Sequence, residues 1–110
     1  MASGTGEAIR NVGLDELKEG LLDGSITLVD VREPPEIAAG AIPGAISMPL
    51  SSFDPEALPD GRVVFSCGSG VRSIRAIEFA RAAGRQIDEH FAPGFRGWVA
   101  AGEPVEVPLG

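Results

Sequence analysis

Short apolar runs, several of them rich in β-branched residues, recur along the chain and predict β-strands. Five such runs occur, at residues 8–12, 26–31, 45–48, 63–66 and 87–91. The runs at 26–31 and 63–66 place hydrophobic residues at successive positions instead of alternating them with polar ones. That pattern is typical of strands that are buried on both faces of a parallel sheet.

The segments between these runs space their hydrophobic residues as helices do. Helices are predicted at residues 14–22, 36–40, 72–83 and 95–101. Gly24 and Gly84 end the first and third of these, and prolines 34 and 35 restrict the second to a short helix. Residues 52–59 are expected to form a loop or one helical turn. Strands alternating with helices predict an α/β fold, with a mostly parallel central sheet and helices on both faces.

The length of 110 residues corresponds to one domain. We expect a flexible N-terminus at residues 1–7, the domain at 8–107 and a C-terminal tail at 108–110. No apolar run approaches the ~20 residues of a membrane helix, and the N-terminus lacks the basic and apolar regions of a secretory signal. The single cysteine excludes an internal disulfide. A reactive thiol persists best in a reducing compartment, so we expect a cytoplasmic protein that does not engage a membrane.

The net charge of −7 argues against nucleic-acid binding, because a phosphate backbone requires a basic surface. The charge is unevenly distributed, with eleven acidic and three basic residues in positions 1–60. Positions 61–97 instead carry six arginines and three acidic residues. Arg75, Arg81 and Arg85 are expected on a solvated helix face. Arg72 differs from them because it lies at the start of the predicted helix, close to the cysteine.

The cysteine loop, residues 67–73, joins the predicted strand at 63–66 to the predicted helix at 72–83. Gly68 and Gly70 let the backbone curl, and the first N–H groups of a helix have no internal partners. These groups and the helix dipole stabilise an anion, here the thiolate of Cys67. The alternative is a buried cysteine that packs as a small hydrophobe. A purely structural cysteine needs neither the glycines nor the cation and hydroxyl of Arg72 and Ser73.

Four segments of the chain carry recognisable motifs. They are Cys67-Gly68-Ser69-Gly70-Val71-Arg72-Ser73, Leu28-Val29-Asp30-Val31-Arg32-Glu33-Pro34, Gly40-Ala41-Ile42-Pro43-Gly44-Ala45, and the stretch from Pro93 through Trp98 to Val105. Together they resemble the rhodanese sulfurtransferases. Their order and spacing match the family from about Val12 to Val105. The resemblance implies a single rhodanese-like domain. Ala41 stands where the family usually has histidine, a change expected to affect local packing or a substrate contact without removing activity.

The resemblance also implies a chemistry for the cysteine loop. Cys67 would be the nucleophile and carry a persulfide, whose outer sulfur would be held by the loop N–H groups. The substrate-binding residues would be Gly68, Ser69, Gly70, Val71, Arg72 and Ser73. The enzyme would be thiosulfate sulfurtransferase-like, taking sulfur from a small anionic donor and passing it to cyanide or to a thiol, including a protein thiol. No cofactor or metal is expected, since one cysteine and one histidine 23 residues apart are no ligand set.

Other functions remain open at this point. One is a non-catalytic rhodanese-like module that carries sulfur or binds a protein. Another is a phosphatase or arsenate reductase, although four residues between Cys67 and Arg72 make the loop one residue shorter than the phosphatase arrangement. An arsenate reductase that resolves through an internal disulfide would need a second cysteine. The loop also resembles that of mercaptopyruvate sulfurtransferases, but Arg72 departs from their usual threonine.

Other polar residues are predicted to support the site. The carboxyl ends of parallel strands meet at one sheet edge, so Asp30, Arg32 and Cys67 should border one pocket with the turn at 93–96. Asp30 and Arg32 are expected to form an ion pair or a capping contact that joins loops. Trp98 is expected in the core, and His90, without an evident partner, at the surface.

Overall fold

The computed structural model of the protein describes residues 8–108. The predicted flexible N-terminus at 1–7, and residues 109 and 110 of the predicted tail, lie outside the described residues. The strands are β1 (Arg10–Asn11), β2 (Thr27–Asp30), β3 (Ile46–Ser47), β4 (Val63–Ser66) and β5 (Glu89–His90). The α-helices are α1 (Leu14–Asp23), α2 (Pro34–Ala39), α3 (Val71–Ala82) and α4 (Gly94–Ala100). Two short 3-10 helices, Leu50–Ser52 and Pro55–Ala57, lie between β3 and β4.

The five strands form one sheet in the order β1-β5-β4-β2-β3, and every neighbouring pair is parallel. The central pairing is the most extensive, with Thr27 to Asp30 of β2 opposite Val63 to Ser66 of β4. The carboxyl ends of β2 and β4 therefore lie side by side, at Asp30 and Ser66. This sheet confirms the α/β fold expected from the sequence.

Helices cover both faces of the sheet. On one face, Phe65 of β4 belongs to a core cluster with Ala76 and Ile77 of α3. On the other, Val64 belongs to a second cluster that contains Leu17 of α1 and Trp98 of α4. Successive residues of β4 thus face opposite layers, as a strand requires. The position of Trp98, which is 4% exposed, confirms its predicted place in the core.

The helix α2 begins earlier than the sequence analysis predicted. The two prolines occupy its first positions instead of preceding it. Proline is tolerated there because the first N–H groups of a helix have no internal partner. Glu33 precedes the helix and forms a capping box with Glu36, in which each side chain accepts from the other residue's backbone N–H. Within residues 8–108, no helix has both the length and the apolar character needed to cross a membrane.

Candidate active site

Cys67 lies directly after β4, at the point where the chain turns towards α3. Its side chain is buried, with 1% of the residue exposed. The backbone N–H of Gly70 donates to the Cys67 Sγ, with a nitrogen–sulfur distance of 3.0 Å. The loop therefore folds back over the sulfur and points a backbone donor at it.

The electrostatic balance at Cys67 favours the thiolate. Burial by itself raises the pKa of the Cys67 thiol, because it penalises the charged form. The backbone N–H groups of Ser73, Ser69 and Gly70 act in the opposite direction, and so does the hydroxyl of Ser73. Together these donors outweigh burial, and the pKa of Cys67 falls below its ordinary value. A lowered pKa of this kind is typical of nucleophilic cysteines.

The first residues of α4 fix the other side of the cysteine loop. The N–H of Phe95 donates to the carbonyl oxygen of Cys67 at 2.7 Å, and the N–H of Arg96 donates to that of Gly68 at 3.2 Å. The approach is so close that a Cβ placed on Gly94, where φ is +66°, would lie 2.5 Å from the Cys67 carbonyl oxygen. The carbonyl groups of the loop thus accept hydrogen bonds from α4, while its N–H groups point towards the sulfur.

Gly70 is the second glycine that this geometry requires. Its φ is +95°, which residues with a Cβ rarely adopt, and an added Cβ would lie 2.7 Å from the carbonyl oxygen of Ala92. Because the same residue supplies the N–H that contacts the sulfur, backbone conformation and anion stabilisation depend on one position.

Arg72 makes a two-point ion pair with Glu36 of α2. Its two terminal nitrogens donate to the two carboxylate oxygens at 2.7 and 2.9 Å. The hydrogen bonds from the Arg72 guanidinium lower the pKa of Glu36 most strongly. Burial raises that pKa, but the N–H of Glu33 adds to the lowering, and the pKa of Glu36 falls to about 2. Glu36 was not singled out in the sequence analysis, although its place three residues after Glu33 matches a capping box. The Arg72 guanidinium is therefore held by Glu36, and its charge acts on Cys67 only through space.

Asp30 and Arg32 form an ion pair, one of the two contacts that the sequence analysis expected, and it is buried. The side chains are 3% and 4% exposed, and an Arg32 terminal nitrogen donates to Asp30 at 2.8 Å. The same nitrogen donates to the carbonyl oxygen of Gly40 at 2.9 Å. The guanidinium carbon lies 4.1 Å from the ring centre of Phe95. Arg32 thus joins the end of β2 to the segment after α2 and to the start of α4.

His90 is not at the surface, so that prediction was wrong. The residue is 7% exposed, because β5 lies between β1 and β4 and is covered on both faces. Its ring Nδ1 lies 2.7 Å from the hydroxyl oxygen of Ser73. Ser73 itself is fully buried. The signal that could have revealed this was the position of His90 inside a predicted parallel strand, where even polar residues are enclosed.

Only some of the predicted site residues act on the Cys67 sulfur. Ser69, Gly70 and Ser73 present N–H groups that act on the sulfur, whereas the residue Val71 is 72% exposed. Ala41, at the position of the family's histidine, is 8% exposed and pairs through its backbone with Glu106. Among the described residues no three His, Cys, Asp or Glu side chains are grouped to bind a metal ion.

Comparison with known families places this geometry in context. The model of the rhodanese-like domain matches residues 13–101. The chain belongs to the rhodanese-like domain family. A human protein named thiosulfate:glutathione sulfurtransferase is 34% identical over 105 residues, covering 80% of this chain and 91% of the human one. A protein of Allochromatium vinosum named sulfurtransferase is 31% identical, covering 93% of this chain and 99% of that protein.

Solved structures of this family share the fold. A rhodanese-related protein from Thermoplasma volcanium superimposes with a TM-score of 0.77 at 30% identity, covering 90% of this chain and 99% of that one. The rhodanese-like domain of the present protein therefore has relatives named as sulfurtransferases that match along most of their length.

Proposed function

We propose that this rhodanese-like protein is a thiosulfate sulfurtransferase that acts through a persulfide on Cys67. The observation that carries the proposal is the Cys67 sulfur itself, which accepts the Gly70 N–H and lies among donors that lower its pKa. A stabilised thiolate is the form that attacks sulfur. The names of the relatives agree with this chemistry.

The reaction would proceed in two displacements. The Cys67 thiolate attacks the outer sulfur of thiosulfate, the sulfur–sulfur bond of thiosulfate breaks, and sulfite leaves with the electron pair. A thiolate acceptor, for example glutathione, or cyanide then attacks the outer sulfur of the persulfide and releases the Cys67 thiolate. The N–H groups of Ser69, Gly70 and Ser73 would stabilise negative charge on the cysteine and on the outer sulfur in turn. We expect this cycle in a reducing compartment such as the cytoplasm.

Intact-mass spectrometry provides the test of this proposal. Protein incubated with thiosulfate should gain the mass of one sulfur atom, and cyanide or glutathione should remove it with formation of thiocyanate or glutathione persulfide. Protein whose thiol has first been blocked with iodoacetamide is the control and should gain nothing. An unchanged mass after thiosulfate would favour a non-catalytic module, and efficient turnover of an aryl phosphate would favour the phosphatase alternative.

The ion pair between Glu36 and Arg72 should limit the use of anionic donors. Replacing Glu36 with glutamine leaves the Arg72 guanidinium without a carboxylate partner and available to a dianion such as thiosulfate. We expect the Glu36→Gln variant to show a KM for thiosulfate about 2- to 5-fold lower, the equivalent of up to about 1 kcal/mol for a partly exposed pair. Steady-state kinetics with thiosulfate and cyanide measure this KM. The control is a Lys18→Ala variant, which breaks the exposed ion pair with Glu103 and should leave the KM unchanged.

The same substitution has a predicted pH signature. The pKa of Glu36 is lowered from 4.5 to about 2, so its pairing stabilises the fold above pH 4.5 and is lost as the pH falls from 4.5 towards 2. The Glu36→Gln substitution should remove that part of the pH dependence of stability. At neutral pH it should lower the free energy of unfolding by less than about 1 kcal/mol. Urea unfolding on either side of pH 4.5 measures it. An identical acid dependence in both proteins, with an unchanged KM, would show that the ion pair has no effect in solution.

A further inference from the structure

The buried contact between Ser73 and His90 lies next to the nucleophile but belongs to no part of the reaction described above. The hydroxyl oxygen of Ser73 is 2.7 Å from the His90 Nδ1 and 3.2 Å from the carbonyl oxygen of Gly70. The same hydroxyl acts on the sulfur of Cys67. Two acceptors, and a ring nitrogen that accepts or donates according to its tautomer, therefore surround a group that has a single hydrogen to donate.

The tautomer of His90 decides where that hydrogen goes. If Nδ1 carries no hydrogen, the Ser73 hydroxyl must donate to it, because two bare acceptors at 2.7 Å would repel each other. The hydroxyl then has no hydrogen left to donate to the Cys67 sulfur. If Nδ1 carries the hydrogen, it donates to the Ser73 oxygen, and the hydroxyl hydrogen is free for Cys67.

We propose that His90 is a positioning residue, which donates its Nδ1–H to the Ser73 oxygen and thereby directs the Ser73 hydroxyl hydrogen to the Cys67 sulfur. A hydrogen bond to a charged acceptor is about twice as strong as one to a neutral acceptor, so an ionised Cys67 favours this arrangement over donation to Gly70. Burial also lowers the pKa of His90, which keeps the ring neutral with one hydrogen to place. The catalytic meaning of this arrangement rests on the proposed function, but its effect on the resting thiol does not.

The chain suits a direct measurement, because it contains one histidine and one cysteine. Nitrogen NMR of the imidazole reports the tautomer of His90 without any assignment ambiguity. Ultraviolet absorbance of the thiolate, or the alkylation rate against pH, reports the pKa of Cys67. We expect the Nδ1–H tautomer in the unmodified protein at a pH where Cys67 is ionised. An Nε2–H tautomer under that condition would overturn the proposal, whatever the variants show.

Three single variants and one double variant separate donation from packing. His90→Leu removes the donor and should lower the thiolate fraction near neutral pH about 5-fold, the equivalent of one hydrogen bond of about 1 kcal/mol. His90→Asn places an amide N–H near the position of Nδ1 and should restore most of that fraction. Ser73→Ala should show a loss of its own, and adding His90→Leu to it should cause no further loss.

Other outcomes would contradict the proposal. Equal losses in His90→Leu and His90→Asn would show that the ring acts by packing or as a proton acceptor instead of as a donor. Additive losses in the double variant would show that His90 does not act through Ser73. These measurements need no sulfur donor, so they remain valid if thiosulfate fails to load the protein. Conversely, a normal persulfide mass shift together with the Nε2–H tautomer would leave the sulfurtransferase proposal intact and remove this one.

Discussion

Replacing Cys67 with serine should abolish the uptake of sulfur from thiosulfate while leaving the fold intact. The serine oxygen can still accept the Gly70 N–H that the sulfur accepts at 3.0 Å, so the loop keeps its hydrogen bond. A hydroxyl, however, is not ionised near neutral pH and cannot carry a persulfide. We expect the rate of thiocyanate formation to fall at least about 10³-fold, as for the loss of a covalent nucleophile.

A relocated thiol is the sharpest control for this result. Ser52 is exposed in the 3-10 helix Leu50–Ser52, outside the cysteine loop. The double variant Cys67→Ser/Ser52→Cys restores one cysteine per chain but places it outside the cysteine loop. It should stay inactive, since it lacks the converging N–H groups. Substantial activity in either variant, with a normal thermal melt, would mean that the cysteine loop does not supply the nucleophile.

Replacing Asp30 with asparagine should cause the largest loss of stability. Asp30 accepts from the Arg32 backbone N–H at 3.0 Å as well as from its guanidinium, and both side chains are almost fully buried. Removing the carboxylate charge leaves the arginine charge buried without an ionised partner. Losses of about 3–5 kcal/mol in the free energy of unfolding are typical of a buried pair broken in this way. Urea unfolding at neutral pH measures the change.

Removing the cation as well should recover part of this stability. The double variant Asp30→Asn/Arg32→Met leaves no unpaired charge, and methionine retains much of the apolar volume that packs against Phe95. We expect it to be more stable than Asp30→Asn alone. A loss below about 0.5 kcal/mol in Asp30→Asn, the range of ordinary surface substitutions, would show that the pair does not maintain the fold.

The sequence predicted most accurately those features that depend on local pattern. The strand Val63–Ser66 has the predicted bounds, because a hydrophobic run between turn residues defines it without reference to other elements. The helix that follows begins one residue before its predicted start at Arg72, and α1 ends at Asp23, just before Gly24. The strands at either edge of the sheet are shorter than predicted, since pairing with a neighbour, not hydrophobicity alone, sets their length.

The partners of the site residues were harder to predict, because tertiary contacts select them. Arg72 could have faced the anion or any nearby carboxylate, and 36 positions separate it from Glu36. His90 was misplaced because a lone histidine carries no local sign of its partner, although its place inside a predicted parallel strand indicated burial, and the order of the strands shows that β5 is enclosed. The substrate-binding roles assigned to the cysteine loop remain predictions.

The contacts of the cysteine loop with Phe95 and Arg96 have a consequence for protein synthesis. The carbonyls of Cys67 and Gly68 have these partners only after the chain has been translated through residue 96. The first strand likewise gains its partner β5 only after residue 90 has been translated. A polypeptide terminated prematurely after Ala92 would contain the thiol but not the start of α4 that secures its loop. Nascent or truncated chains should therefore expose an unshielded cysteine, which makes them targets for oxidation and for quality-control proteases before the site exists.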